Sequence, residues 1–545
     1  MNQEVLPKDL PCHRAIFSTQ RNVVLFMLGL VATAGHAQTS LDVGTAGRIV
    51  VVPRISVTET FTNNVALSST NKQSELITQI SPGIRVSSQG GRITGSVDYS
   101  LNELLYARNS SGPRSENRLN ASGKVEVIDK TGYIDFSGVV SQQAISAFRS
   151  PTNSATLLNG NSTETALFRL SPNIRGRLGD VAQYDARYSL ATSRSGATTT
   201  SDVNSSELSL QLGAIGGRTV AGWTLGLNRQ TVDFSAGRST ESQRIDGQVN
   251  FPFNPQWGAF VRAGHESNDF TGAATRKSDF TALGLNWTPN DELRVSVDQD
   301  SRGSTGIVAR WTPSKRTSVS VVREQRLYGD THSIALAYRT PSTAWTFSDS
   351  RSAVTNPGQI TGAAAPSLYD ILFGQFITIE PDPVKRDQYD AFLRANGIVP
   401  NATAVGGFLT SSLSLQRQQQ LSFALFGARS TLSIIGTRSS NSRLNSGATG
   451  PDDFATAGVV SQNGLSANYS YRLTARSLLS VIAARQSSSG SLGGVGTSSR
   501  SMNVNLSSSL TRDISASISA RRVVFDSATA PYTETAVTGS LSVQF

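Results

Sequence analysis

Hydrolytic or transfer chemistry needs a histidine or thiolate held beside a nucleophile or a carboxylate, and this chain of 545 residues has few of either. Its one cysteine is Cys12. His265 stands in Gly264-His265-Glu266-Ser267, and His332 follows Gly329-Asp330. Two isolated histidines give neither a triad signature nor metal-ligand spacing, so both read as rim residues of a non-catalytic protein with no metal site and no cofactor. Gly493-Gly494-Val495-Gly496 is a loop rather than a phosphate cradle, because no helix follows it.

Arginine is the chemically active residue that recurs. The chain carries 49 Lys+Arg against 39 Asp+Glu, and only seven of the basic residues are lysine. Many arginines fall inside extended apolar-alternating segments, among them Arg92, Arg169, Arg262, Arg294, Arg310, Arg323 and Arg521. Two readings stay open. One is an arginine–carboxylate lattice bracing a wall, which suits the bidentate guanidinium. The other is a lumen of positive potential attracting an anionic polysaccharide, with Arg262, Arg294, Arg310, Arg323 and Arg521 as its basic residues. Nucleic acid is excluded as a partner by the export signal described next.

Arg14 and Arg21 precede the apolar run 23–34, and Gly35-His36-Ala37 supplies small residues for cleavage, so residues 1–37 read as a secretory signal peptide. No stretch approaches the roughly 20 apolar residues of a transmembrane helix. Residues 38–545 contain apolar side chains dispersed singly, at the strand period; Leu293, Val295 and Val297 alternate with Arg294, Ser296 and Asp298. Connectors alternate between tight turns and long polar loops. The turns include Gln89-Gly90-Gly91, Asp129 to Gly132, Gly216-Gly217, Asn254-Pro255, Pro289-Asn290-Asp291, Pro313-Ser314-Lys315, Pro341-Ser342 and Arg512-Asp513. This asymmetry predicts a large antiparallel transmembrane β-barrel of about 24 strands, range about 20–26, in the cell outer membrane.

Tryptophan supports that topology. Trp257, Trp287, Trp311 and Trp345 all sit beside short turns, as a periplasmic aromatic girdle in contact with outer-membrane lipid would. The last strand puts Val537, Leu541, Val543 and terminal Phe545 on one face, and Leu541, Val543 and Phe545 read as a signal to the barrel assembly machinery. One segment breaks the pattern, 352–408. Asp382-Pro383 starts a helix that Asn396-Gly397 stops, with Tyr389, Phe392 and Leu393 on one face, so the insert is partly helical and forms a plug or a cap.

Pro53-Arg54-Ile55-Ser56-Val57, Thr62-Asn63-Asn64, Ser81-Pro82-Gly83-Ile84, Lys385-Arg386-Asp387, Gly407-Phe408-Leu409-Thr410, Leu415-Gln416-Arg417 and Gly427-Ala428-Arg429-Ser430-Thr431 carry a family resemblance in their order and spacing. The chain resembles the uncharacterised outer-membrane β-barrel family associated with PEP-CTERM protein-sorting systems. The resemblance implies an organism with exosortase sorting and an exopolysaccharide locus, and it carries over no catalytic residue. With the basic lumen, it leads to the expectation of a barrel supporting export or surface attachment of exopolysaccharide and PEP-CTERM sorted proteins, with the polysaccharide or its export machinery as partner. A general diffusion porin and an outer-membrane hydrolase using His265 are the alternatives.

Overall fold

The computed structural model describes residues 39–42, 48–108, 110–151, 156–197, 202–215, 222–235, 239–270, 275–354, 407–410, 412–444, 452–491 and 496–545. The expected signal peptide, the Gly216-Gly217 turn and the insert helix with Asp382, Pro383, Tyr389, Phe392 and Leu393 lie outside them.

Single dispersed apolar residues on a strand can be buried or lipid-facing only if every backbone group is paired, and this chain achieves that by closing a ring. The short strand β1 (Thr39–Asp42) lies along β2. One long-stranded arc follows: β2 (Arg48–Thr62), β3 (Glu75–Gln89), β4 (Ile93–Tyr106), β5 (Arg114–Ile128), β6 (Gly132–Ala144), β7 (Ser162–Leu178), β8 (Ala182–Ser195), β9 (Val203–Ala214), β10 (Gly222–Phe234), β11 (Ser239–Pro252), β12 (Trp257–Asn268) and β13 (Arg276–Trp287). A lower arc comes next, with β14 (Leu293–Asp300), β15 (Thr305–Ser314), β16 (Thr317–Arg326) and β17 (Gly329–Arg339). The wall rises again through β18 (Thr343–Val354), β19 (Ser414–Phe426), β20 (Ser430–Arg443), β21 (Val459–Arg472), β22 (Ser477–Gly490), β23 (Gly496–Ser509), β24 (Ile514–Ser527) and β25 (Tyr532–Gln544). A one-turn helix, α1 (Asp453–Thr456), precedes β21.

Each strand pairs antiparallel with the next, and β25 returns to β2 with Leu541 opposite Val57 and Val537 opposite Phe61. The 24 strands β2–β25 therefore form a closed barrel, as the alternating connectors predict. Phe545 donates its backbone N–H to the Pro53 carbonyl at 3.0 Å, so the chain end is tied to the seam.

Alternation then assigns every side chain to lumen or exterior. Outward positions are large and apolar without being buried: Phe168, Leu170, Leu208, Leu225, Val261, Leu283, Leu336, Leu421, Leu465, Met502 and Ile518 are all exposed. Such an uncovered apolar belt on a closed barrel is the surface that faces lipid, and the protein is an outer-membrane β-barrel. Among the described residues, no helix is long and apolar enough to cross a membrane; strands make the crossing. At the short-turn end Trp257 stacks on Trp287, with ring centroids 5.8 Å apart, and Trp345 lies 4.3 Å from Phe423. Trp311, exposed, shares this outward face through its partner Leu293.

Two expectations on element bounds change. Ser352–Val354 are not part of the insert; they extend β18, because their backbone pairs with Ser414–Gln416. The β15–β16 turn sits at 315–316, starting two residues past Pro313, since the ladder shifts register between Trp311 and Ser314 where proline has no N–H to give. β3 runs through Pro82, with Ile80 opposite Glu103 and Gly83 opposite Ser100.

Candidate functional site: the lumen and its mouth

Alternation gives the barrel two unlike lumen walls. On β11–β16, charged residues spaced two apart point inward from neighbouring strands. Arg244 reaches Asp246 at 3.0 Å, Glu266 at 3.7 Å and Glu324 at 2.5 Å. Arg262 meets Asp298 at 2.7 Å and Glu324 at 3.9 Å. Arg302 holds Asp300 at 2.7 Å and Glu266 at 3.7 Å, while Arg326 holds Glu324 at 3.1 Å. Glu266 is 1% exposed and also accepts the Leu327 backbone N–H at 3.2 Å.

The lattice is built around an aromatic ring. The guanidinium carbons of Arg244, Arg262 and Arg302 lie 4.9, 5.7 and 4.7 Å from the Phe280 centroid, so three cations share one π face and edge. Phe280 can lie flat because the residue opposite it on β12 is Gly264; a Cβ there would stand 2.6 Å from the ring. Tyr328 packs at the outer edge, 5.5 Å from Phe270, and burial pushes its phenol above the ordinary range.

The opposite wall, β18–β25, is uncharged over most of its height. Its inward positions include Thr346, Ser348, Ser350; Gln416, Gln418, Gln420; Ser433, Thr437, Ser439; Gln462, Ser466, Asn468; Ser499, Ser501, Asn503, Asn505; and Ser515, Ser517, Ser519, with a few apolar residues such as Ile435 and Ile482 between them. Neighbours exchange hydrogen bonds, such as Ser480 to Asn468 at 3.1 Å and Ser517 with Ser540 at 2.7 Å. Ser433 Oγ, Thr437 Oγ1, Asn441 Oδ1, Ser470 Oγ, Asn503 Oδ1 and Asn505 Nδ2 are buried without a protein partner. Among the described residues, the lumen face of this wall carries the ion pair of Arg521 with Glu534 at 2.9 Å, to which Thr62 also donates at 2.9 Å.

At the long-loop end, segments from distant strands meet across the mouth. Leu409 donates its N–H to the Ala144 carbonyl at 3.2 Å, and Phe408, fully buried, sits edge-on to Phe454 at 5.6 Å with Ala147, Ala457 and Val460 around it. Ser146 Oγ and the Ala147 N–H both donate to the Asp453 carboxylate at 2.6 Å, and Thr410 donates to Asp452 at 2.7 Å. Leu158 donates to the Val65 carbonyl at 2.9 Å, and Ser150 bonds Tyr532 at 2.8 Å. Burial pushes the Asp453 carboxyl up, against the lowering effect of its two hydrogen bonds.

Of the basic residues expected in the lumen, Arg262 and Arg521 are there and spent on carboxylates. Arg294 and Arg310 are there too, directly opposite each other and exposed, with no ion pair among the described residues. Arg323 is not in the lumen: it shares the outward face with Ile307 and Val321, and its carboxylate neighbour is Asp330 at 3.8 Å. His265 also faces outward, its Nδ1 2.7 Å from Asp279, and among the described residues no hydroxyl hydrogen-bonds to it. His332 bonds Asp349 at 3.0 Å beside Arg417, on the outward face as well. No group of His, Cys, Asp and Glu among the described residues is arranged to hold a metal ion. Sequence reasoning missed Arg244, Glu266, Phe280, Asp298, Arg302 and Glu324. The visible signal was the i, i+2 charge spacing of Arg244/Asp246 in β11, Asp298/Asp300 in β14 and Glu324/Arg326 in β16.

No protein-family description matches the chain, and no curated protein sequence matches it. Solved structures to which it is similar include the FrpB iron transporter from Neisseria meningitidis, 10% identical, covering 93% of this chain and 82% of that one with a TM-score of 0.43. The siderophore receptor PirA from Pseudomonas aeruginosa is 10% identical over 90% of this chain and 80% of that one, TM-score 0.37. BauA, the ferric preacinetobactin receptor from Acinetobacter baumannii, gives 10%, 90%, 80% and 0.39.

Proposed function

We propose that this outer-membrane barrel is non-catalytic and supports export or surface attachment of extracellular polysaccharide and of PEP-CTERM sorted proteins. The supporting observation is the neutral lumen wall of β18–β25. Hydroxyls and carboxamides exchange hydrogen bonds with sugar hydroxyls without the cost of stripping water from a charge, and they offer both donors and acceptors to a moving chain. The β11–β16 wall bears on the nature of the polymer: its lattice arginines are held by carboxylates, and Arg294 and Arg310 are among the inward cations of the described residues that have no ion pair and are left for acidic sugar units. The barrel assembly machinery is the proposed partner in biogenesis, reading Leu541, Val543 and Phe545.

Deleting the gene is expected to lower surface polysaccharide or sorted protein; unchanged amounts of both would sink the idea. Replacing Ser501, Asn503 and Asn505 together by leucine should lower surface polysaccharide while barrel abundance in the outer membrane stays the same. The loops joined across the mouth weigh against a general diffusion porin, for which a planar bilayer would show a large stable conductance.

A further inference from the structure

The exterior of the barrel carries charges with different fates on different flanks. On β8–β11 the outward arginines have carboxylate partners on the same face: Arg194 with Asp202 at 3.3 Å and Arg229 with Glu241 at 2.9 Å. On β2–β7 the outward charges near the long-loop end are carboxylates, Glu59, Glu103 and Glu164, hydrogen-bonded to Thr78, Ser115 and Asn117. On β20–β24 the outward charges are Arg438, Arg485, Arg500 and Arg522, all exposed, and among the described residues none has an ion pair or hydrogen bond. Asp526, nearer the strand end, is the single outward carboxylate on these strands.

Their placement is regular. Arg485 follows the outward series Leu479, Val481, Ala483; Arg500 follows Leu506, Val504, Met502; Arg522 follows Ile518 and Ala520; and Arg438 follows Leu432 and Ile434. Arg438, Arg485 and Arg500 thus stand where the apolar series of their strands ends, and Arg522 stands one outward position before it, with Val524 beyond; all four lie on the long-loop side, which in an outer-membrane barrel is the outer leaflet. Arg485 and Arg500 are directly opposite on adjacent strands, a like-charge pairing that disfavours the sheet unless an anion lies between them. From β20 to β24 the row spans about 19 Å, the width of a headgroup with more than one anionic group rather than of a single phosphate.

We propose that the outward face of β20–β24 is a docking surface for a phosphorylated glycolipid of the outer leaflet, held through its phosphates by Arg438, Arg485, Arg500 and Arg522. Guanidinium groups match phosphate bidentately, and at the edge of the hydrocarbon layer the contact is only partly screened. The glycolipid's acyl chains lie on the apolar residues below, and its sugars reach the level of the loops. The carboxylates of β2–β7 repel the same headgroup, so the lipid takes one flank.

The full mature protein, purified in a non-ionic detergent, would be tested by native mass spectrometry against lipid A, dephosphorylated lipid A and phosphatidylglycerol. Lipid A should be retained and the other two lost. Substituting all four arginines by glutamine should weaken lipid A retention about a hundredfold, whereas Arg229→Gln leaves it unchanged. If the fourfold variant loses heat-modifiable migration, Arg485→Gln with Arg500→Gln decides, with about tenfold weakening expected, and lysine at the same two positions restores part of it. Equal retention of the dephosphorylated lipid or of phosphatidylglycerol would overturn the proposal, as would wild-type retention by the folded glutamine variants.

Discussion

The arc β11–β16 and the arc β19–β25 are built from the same alternating strands, yet they place charge oppositely. In the first, Arg244, Arg262 and Arg302 point inward and are locked against Asp246, Glu266, Asp298, Asp300 and Glu324 around Phe280. In the second, the lumen face is hydroxyl and carboxamide, and the arginines stand outside at the top of the apolar belt. The first arc includes the lowest strands, of 8 and 10 residues in β14 and β15, and they have the shortest ladders to hold them. Cross-strand ion pairs reach over several strands at once, so the lattice braces the weakest part of the wall. The second arc has strands of 13 and 14 residues and full ladders, which frees its side chains for contact with other molecules.

The largest predicted effect breaks the first arc. Removing one member of a desolvated ion network leaves its partners buried and unpaired, so Glu266→Gln or Arg244→Ala should cost about 3–5 kcal/mol of barrel stability. Urea-gradient migration of the refolded protein would measure it, and a loss under about 1 kcal/mol would mean the lattice does not brace the wall. Gly264→Ala should come next, at about 1–3 kcal/mol, because its new Cβ meets both the Phe280 ring and the Ile245 carbonyl at 2.6 Å. On the second arc Ser480→Ala forfeits a single neutral hydrogen bond and should cost about 1 kcal/mol. Equal costs for Glu266→Gln and Ser480→Ala would erase the distinction between the arcs.

These differences were unevenly legible in the sequence. Leu293, Val295 and Val297 announce their strand by period alone, and tryptophans beside turn residues announce its end. The phase of a strand is harder when both faces are apolar. Val319, Val321 and Val322 occupy both sides of β16, so Arg323 could be placed outward only by pairing with Ile307. The lattice joins residues far apart in the chain, Arg262 to Asp298 across 36 residues, and ring closure rather than local pattern brings them together. The mouth is less legible still: Ser146 meets Asp453 across 307 residues, through loops that carry no period.

That mouth contact gives the smallest and most specific effect, because it links the two long-stranded arcs without belonging to either. Asp453 is buried beside Asp452, burial raises its carboxyl from the ordinary 3.8, and the charge of Arg149 acts against that rise. A raised folded value means the closed mouth binds a proton more tightly than the open one, so its contribution is fully present below about pH 3.8 and fades as pH rises through the raised value. Hydrogen bonds from Ser146 and Ala147 oppose the shift and limit its size. Asp453→Asn keeps an acceptor for the Ala147 N–H and removes the titration. Planar-bilayer conductance of the wild type should therefore rise as pH is raised above about 3.8, while the asparagine variant stays flat. A wild-type conductance that falls over this range, or an equal rise in both proteins, would show that the mouth is held by the Phe408–Phe454 packing alone.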